Sequence, residues 1–445
     1  MLPLTRPARQ ALATLGLLAF AVIPTCYVVF TAWAISRPSH VRQVEAEFRR
    51  ELGLAVSIET VRYPKPGEVV FGGLVIRQDD ARRTGPAVVA RADSVRLNRS
   101  TGDLTLEASG LRVRGDGAEL LLSQVNAVLR RLSSSSVRRV ALAIPGCEID
   151  LGPEGKSTKY RLSDVAGELL TDRGNPKAKV SYRMADDRGS TRCELTYTRD
   201  AQTSPARTSI AFKTMEGPPI DASILNPFFD SRSWLGEGSR VWGSLTLSQV
   251  GNSEWTGHFQ GDLTEINLAS LVSERFPAHR LSGKAKLSLK SARWGDRPGQ
   301  GFGWVEAEGE LTAGQGSVSP SLVQALASEM QFRTTAKVQN QEQGRDLEFR
   351  ALGASFHLNH DGEIRVAGAL GGEYNPDGIL VALNQVSPMA SAPQGTANVR
   401  GLIKAMFPGD ASTLVPGTAE SQVVQRYLPL PPGLADSRTQ TLGGN

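Results

Sequence analysis

The chain has 445 residues, of which 40 % are hydrophobic, and this composition suits packed domains rather than general disorder. Its 50 basic and 45 acidic residues leave a formal net charge of +5, without a lysine- and arginine-rich block interleaved with aromatic residues. Nucleic-acid binding calls for such a concentrated basic surface. We therefore predict that nucleic acid is not a partner.

The first long feature is an apolar stretch, residues 11–35, that contains no charged side chain. As a helix it would extend roughly 37 Å, enough to cross a hydrocarbon core of about 30 Å. Arg6 and Arg9 precede it and Arg37 and Arg42 follow it, so the charge rule does not decide its orientation. A short basic N-terminus before a long domain favours a cytoplasmic N-terminus. The side chains expected to hold this anchor in the membrane are Leu15, Leu18, Phe20, Val22, Tyr27, Phe30 and Trp33.

A cleaved signal peptide is the alternative interpretation of the same stretch. Ala32, Trp33 and Ala34 fit a small-x-small cleavage pattern. However, the apolar run before them is longer than the roughly 7–15 residues of a signal-peptide core. The sequence therefore favours an uncleaved membrane anchor.

A helix is predicted directly after the anchor, capped by Ser39 and ending near residue 53. Val41, Val44, Phe48 and Leu52 fall on one stripe of it. This stripe is expected to pack on the following domain, and a position on the membrane surface is the alternative.

From residue 54 onward, alternation of apolar and polar residues predicts strands with one dry and one wet face. In residues 281–290, leucines and lysines alternate, and Val305 and Leu311 continue the apolar pattern in the next strand. Short helices are predicted near residues 119–132, 268–276, 319–330 and 399–406. The expected apolar face comprises Leu281, Leu287, Leu289, Val305 and Leu311.

Catalytic and metal-binding motifs are weak in this sequence. Gly155-Lys156-Ser157 resembles the end of a phosphate loop, but the glycine that the motif needs at position 150 is Asp. His357 and His360 have no acidic or Cys partner that completes a zinc set. We predict that the chain is not an enzyme and has no metal or other cofactor.

Two cysteines lie outside the predicted anchor, which itself contains Cys26. Cys147 and Cys193 could form one disulfide in an oxidising compartment or remain two buried thiols. The sequence leaves both alternatives open.

Four stretches resemble the AsmA-like family of bacterial envelope proteins. The helix ending in residues 48–56 (FRRELGLAV) looks like the family's opening, and residues 68–77 look like its first hairpin. Residues 261–289 look like a recurrent strand–helix–Leu-Ser-Gly–strand unit, and residues 302–330 like the helix that follows it.

The resemblance implies a bacterial inner-membrane protein with a single N-terminal anchor and its bulk in the periplasm. It implies a mostly β fold with short helices (α+β), as a long, curved antiparallel sheet or groove with interspersed amphipathic helices. The expected divisions are the N-terminal stub with anchor (1–36), two β-rich regions (37–215 and 216–428) and a disordered tail (429–445).

The function that the resemblance implies is non-enzymatic: binding or conducting phospholipid or another envelope lipid between membranes, in support of outer-membrane biogenesis. The alternative is an envelope scaffold that binds protein partners through exposed sheet edges. The sequence also leaves open whether the apolar face lines an open groove or packs into a filled core.

Overall fold

The fold is mostly β with a few short helices in a computed structural model of the chain. Two compact units, residues 1–174 (unit 1) and 175–445 (unit 2), are described separately. The structure describes residues 37–52, 55–78, 87–100, 103–115, 139–151, 158–172, 175–225, 231–251, 253–297, 301–334, 345–370, 377–383, 389–390 and 396–406.

None of the helices within these ranges is both long and apolar enough to span a bilayer. Residues 1–36, where the anchor is predicted, lie outside the described residues, as does the helix predicted near 119–132. The anchor therefore stays a prediction.

Unit 1 contains a mixed sheet. Its strands are β1 (Ala55–Ser57), β2 (Thr60–Lys65), β3 (Glu68–Gln78), β4 (Ala87–Ser100), β5 (Asp103–Ser109), β6 (Leu111–Gly115), β7 (Arg139–Leu151) and β8 (Thr158–Asp172). β1 and β2 both pair with β3, β3 pairs with β4, and β4 pairs with both β5 and β6. These pairs and β7–β8 are antiparallel, whereas β5 and β6 run parallel to β7.

The parallel pairs correct the expectation of a purely antiparallel sheet. A parallel neighbour needs a connection of a dozen or more residues, and the chain between residues 116 and 138 has that length. Strand alternation alone does not distinguish a parallel from an antiparallel neighbour, so the sequence pattern could not reveal this direction.

Helix α1 (Pro38–Leu52) packs on the sheet of unit 1. The rings of Phe48 and Phe71 meet edge to face with their centroids 5.4 Å apart. The Ile58 amide donates to Glu45 Oε1 at 2.8 Å. Packing of the helix on the domain is therefore confirmed.

Unit 2 is built on antiparallel pairs. Its strands are β9 (Asn175–Asp186), β10 (Gly189–Asp200), β11 (Arg207–Glu216), β12 (Ile220–Asp221), β13 (Arg240–Val250), β14 (Thr256–Asn267), β15 (Leu281–Arg297), β16 (Gly301–Val318), β17 (Arg333–Thr334), β18 (Leu347–Leu358), β19 (Glu363–Gly368), β20 (Gly378–Ala382), β21 (Met389–Ala390) and β22 (Thr396–Asn398). The order across the main sheet is β9–β10–β11–β13–β14–β15–β16–β18–β19.

The division between the units falls at Gly174 and Asn175, which differs from the boundary after residue 215 expected from the sequence. β11, which ends at Glu216, pairs with β10 on one side and β13 on the other. The ladder of hydrogen bonds therefore continues across residue 215, and β9–β11 belong with the strands that follow them.

Short helices and turns connect the strands of unit 2. They are α2 (Ser231–Leu235), α3 (Pro320–Met330) and α4 (Val399–Met406), with a 3-10 turn at Ala222–Leu225 and a π-helical turn at Ala269–Ser273. The Ser319 side chain caps α3 by accepting from the Leu322 amide. The helix predicted near 268–276 is reduced to the π-helical turn, at whose start Asn267 Oδ1 accepts from the Ala269 amide at 3.1 Å.

Candidate functional site

The most extensive functional candidate is the apolar face of the unit 2 sheet. Residues directly opposite each other in an antiparallel ladder share a face, so the registers define rows that run across the strands. One row, the central row, is apolar over nine successive strands: Val180, Leu195, Phe212, Leu245, Phe259, Ala292, Ala307, Leu358 and Ile364.

Burial changes along the central row. Its first four side chains, from Val180 on β9 to Leu245 on β13, are only half-buried. On these strands, several residues of the two neighbouring rows are more deeply buried than those of the central row. Tyr197, Ile210 and Leu247 are buried on one side, and Cys193 and Thr214 are buried on the other side.

The half-buried apolar side chains form a continuous track, which crosses β15, β16 and β18 on the rows next to the central row. Leu289 faces Gly309, which faces Phe356, and Leu287 faces Leu311. The four large apolar side chains among them are half-buried. Buried residues flank them here too: Ala292, Ala307 and Leu358 on one side, and Ala285, Ala313 and Leu352 on the other.

Glycines join the two halves of this track. Gly243 on β13 faces Gly261 on β14, which in turn faces Leu289 on β15. No side chain therefore stands on the sheet where the track steps from the central row to the next. We call the whole track the exposed band: Val180, Leu195, Phe212, Leu245, Gly243, Gly261, Leu287, Leu289, Leu311 and Phe356.

The distribution of burial distinguishes a groove from a filled core. In a filled core the middle of a sheet face is covered by a second layer and is the most deeply buried part of that face. In unit 2 the large apolar side chains in the middle of the face are half-buried, whereas the residues that flank them are buried. A shallow apolar channel between two rows of buried residues would produce this pattern.

The opposite face of the same strands is polar and carries ion pairs between neighbouring strands. Lys286 Nζ lies 2.9 Å from Asp262 Oδ2, and Lys290 Nζ lies 2.8 Å from Glu308 Oε1. The Lys290 ammonium lowers the pKa of Glu308, and Glu308 raises the pKa of Lys290. The predicted separation of leucines and lysines in β15 thus agrees with the contacts.

The structure brings together four of the five residues predicted for the apolar face. Leu287, Leu289 and Leu311 lie in the exposed band, and Leu281 is buried against Val318 near one end of β15. Val305 does not continue the pattern, because it is the extra residue at a register shift in β16. Trp304 instead lies opposite Trp294, with the two ring centroids 5.5 Å apart.

The part of the exposed band that lies on β9–β13 was not predicted from the sequence. Val180 and Leu245 each belonged to an alternating segment, but one strand's alternation does not tell which residues face each other across strands. The registers supply that information. The predicted anchor residues, from Leu15 to Trp33, lie outside the described residues.

The histidine and lysine candidates are not brought into a catalytic arrangement. His357 lies on the polar face opposite Glu308, and the exposed His360 contacts Asp361 with Nε2 and Oδ1 3.1 Å apart. Lys156 lies outside the described residues. Within the described ranges, no group of three or more His, Cys, Asp or Glu side chains is placed to hold a metal ion.

Cys147 and Cys193 are buried free thiols, one in each unit. Burial raises the pKa of the Cys193 thiol to about 11, and burial together with the neighbouring Glu148 raises that of Cys147 to about 11. Of the two alternatives left open by the sequence, the structure therefore has the buried thiols.

No protein-family model matches the chain, and neither a curated protein nor a solved structure matches it.

Proposed function

We propose that the chain is a non-enzymatic, AsmA-like envelope protein that binds or conducts lipid along the exposed band of unit 2. In this proposal, residues 11–35 anchor it in a bacterial inner membrane and the β-rich bulk lies in the periplasm. The ligand class is phospholipid or another envelope lipid with apolar chains.

The observation that carries the proposal is the reversed burial pattern, with half-buried Phe212 and Leu245 between buried rows. Covering such side chains with an acyl chain removes apolar area from water and gains about 25 cal/mol per Å². Gly243 on β13 and Gly261 on β14 carry no side chain, so an acyl chain can lie across them from one half of the exposed band to the other.

A photocrosslinking experiment in cells tests the proposal. A photoreactive phenylalanine analogue replaces Leu245 in the exposed band or, as the matched control, Thr246 on the polar face of the same strand. We expect lipid crosslinks at position 245 and none at 246. Crosslinks to protein alone at position 245 would favour a scaffold function and overturn lipid binding.

A charge substitution gives the corresponding functional prediction. Leu245→Glu should abolish lipid crosslinking from a probe at position 212, because an ion in an apolar channel is strongly disfavoured. The protein should keep its thermal transition, since position 245 is half-buried and the charge can reach water. Leu263→Glu, at a buried position, should instead unfold unit 2. If Leu245→Glu also unfolds the unit, the face is a filled core.

A further inference from the structure

The direction of α1 on the unit 1 sheet is fixed by contacts at both of its ends. Near its start, His40 Nε2 lies 2.9 Å from Tyr63 Oη, on β2 beside the beginning of β3. Just after its end, Ala55 lies opposite Arg77, near the end of β3. α1 therefore runs in the same direction as β3 and begins at the end of unit 1 where β3 begins.

The short connection to the predicted anchor brings the start of α1 close to the membrane. The apolar stretch ends at residue 35 and α1 begins at Pro38, so the connection extends about 11 Å at most. Arg77 is nine residues along β3 from Glu68, a distance of about 30 Å. The end at which β3 begins is therefore the part of unit 1 that the connection holds closest to the anchor.

We propose that this end of unit 1 rests in the headgroup layer of the membrane that holds the anchor. The proposal rests on the anchor in the proposed function, but not on the exposed band. The contact surface, which we call the rim, comprises Tyr63, Lys65, Arg99, Arg139 and Leu170.

Strand pairing places the rim residues at one end of the sheet. The Gly67 carbonyl, in the turn between β2 and β3, accepts from the Arg99 amide at 2.7 Å. Arg139, the first residue of β7, lies beside Asp103 at the start of β5 and opposite Leu170 near the end of β8. The rim therefore combines strands β2, β4, β7 and β8.

The side chains of the rim suit an interface between lipid and water. Tyr63 is 41 % exposed and Leu170 is 40 % exposed, and they account for two of the three exposed large apolar side chains among the described residues of unit 1. Tyrosine favours the headgroup level, where its ring is covered and its hydroxyl stays hydrated.

Lys65 pairs with Glu68 at 3.3 Å and Arg139 pairs with Glu168 at 2.6 Å, so the positive charge of the rim is partly neutralised within the protein. Arg99 adds a further basic group that can pair with an anionic headgroup.

From the charge distribution alone, the opposite end of unit 1 would be expected to contact the membrane. That end carries the basic residues Arg77, Arg91, Arg112, Lys159 and Arg161. Within the described residues, Glu148 pairs with two of them, at 3.7 Å from Arg112 Nε and 3.6 Å from Arg161 Nε. The orientation of α1 and the charge distribution thus give opposite predictions, which one experiment can separate.

The experiment compares two labelled positions in the full chain, reconstituted into vesicles of phosphatidylcholine and phosphatidylglycerol. In a Cys26→Ser background, Tyr63→Cys or Val88→Cys carries a fluorophore, and lipids with spin-labelled headgroups quench it. Val88 is 46 % exposed and lies opposite Arg77, at the basic end. The parent without either substitution measures labelling of the buried Cys147 and Cys193.

We expect strong quenching at position 63 and none at position 88. Leu170→Cys provides a second rim position that leaves the His40 contact intact, and it should be quenched as well. An unquenched rim in protein that floats with the vesicles would overturn the proposal while leaving the anchor in place. Quenching at position 88 would overturn it in favour of the basic end. Protein that does not float would overturn both the anchor and the rim contact.

Discussion

Arg240 shows how one buried charge joins separate parts of unit 2. It begins β13, is only 3 % exposed, and pairs with Asp186 and Asp187 in the turn between β9 and β10. Desolvation lowers the pKa of Arg240, but hydrogen bonds and charge from the two aspartates outweigh it and hold the pKa above its usual value. The turn is thereby held against a strand that follows it by more than fifty residues.

Arg240→Ala should destabilise unit 2 by about 3 kcal/mol, because Asp186 would remain partly buried without its cation. The thermal transition should fall by roughly 6–10 °C. Tryptophan fluorescence can follow it, since every tryptophan except Trp33 lies in unit 2. Arg188→Ala, an exposed change in the same turn, is the control and should leave the transition unchanged. Equal melting of both variants would contradict this role of Arg240.

At the scale of the strand, the pair of Trp294 and Trp304 depends on a glycine. Gly257 lies opposite Trp294, and a Cβ at Gly257 would fall 1.9 Å from the Trp294 ring. That ring cannot move away freely, because it meets Trp304 edge to face.

Gly257→Ala should therefore destabilise unit 2 by about 1–3 kcal/mol through overpacking. Gly314 on β16 is the matched control, because a Cβ there meets no atom within 4 Å. Gly314→Ala should be neutral or stabilise the unit by up to about 1 kcal/mol. Urea unfolding followed by tryptophan fluorescence measures both, and a Gly257→Ala midpoint equal to that of Gly314→Ala would refute the packing argument.

Alternation predicted the strands of unit 2 well where the ladder is regular. Leu287 and Leu289 face away from Lys286 in β15, as the sequence indicates. It failed at β-bulges, because one extra residue changes which side chains lie opposite each other. Val305 is such a residue, and in the sequence this valine looks the same as a valine at a regular strand position.

The exposed band could be predicted only in part, since it is a property of seven strand registers taken together. The leucines of β15 were recognised because they alternate with lysines. Phe212 and Leu245 face each other across β11 and β13, yet 33 residues separate them along the chain, and local periodicity does not specify that pairing. Half-burial also depends on which neighbouring rows are covered, which a sequence pattern does not specify.

The dimensions of unit 2 limit what the exposed band can do alone. It crosses eight neighbouring strands, from β9 to β18, which at about 4.8 Å per strand gives roughly 34 Å. This length is close to the thickness of one hydrocarbon core. A hydrocarbon core contains two acyl chains end to end, so in the proposed function the exposed band is long enough for the acyl chains of one lipid, and carrying lipid farther would need additional surface beyond this band.

We expect both units to be sensitive to alkaline pH, because each contains one buried thiol whose pKa is raised from 9.0 to about 11. Unfolding returns each thiol to its ordinary pKa. The stabilising contribution is therefore fully present below pH 9 and is lost as the pH rises from 9 to 11. Burial also raises the pKa of Tyr182, which extends the loss in unit 2 to higher pH.

We expect the urea midpoint of unit 2, followed by tryptophan fluorescence, to be level between pH 7 and 8.5 and to fall by pH 10.5. The loss due to Cys193 should be at most about 2 kcal/mol, because two pKa units set its upper limit and partial hydration reduces it. Cys193→Ala should have a lower midpoint at pH 7, since a buried sulfur is removed, but a flatter alkaline decline. Cys147→Ala, whose thiol lies in unit 1, is the matched control and should leave the decline in unit 2 unchanged. If Cys193→Ala declines as steeply as the unmodified chain, the Cys193 thiol is not the group that titrates.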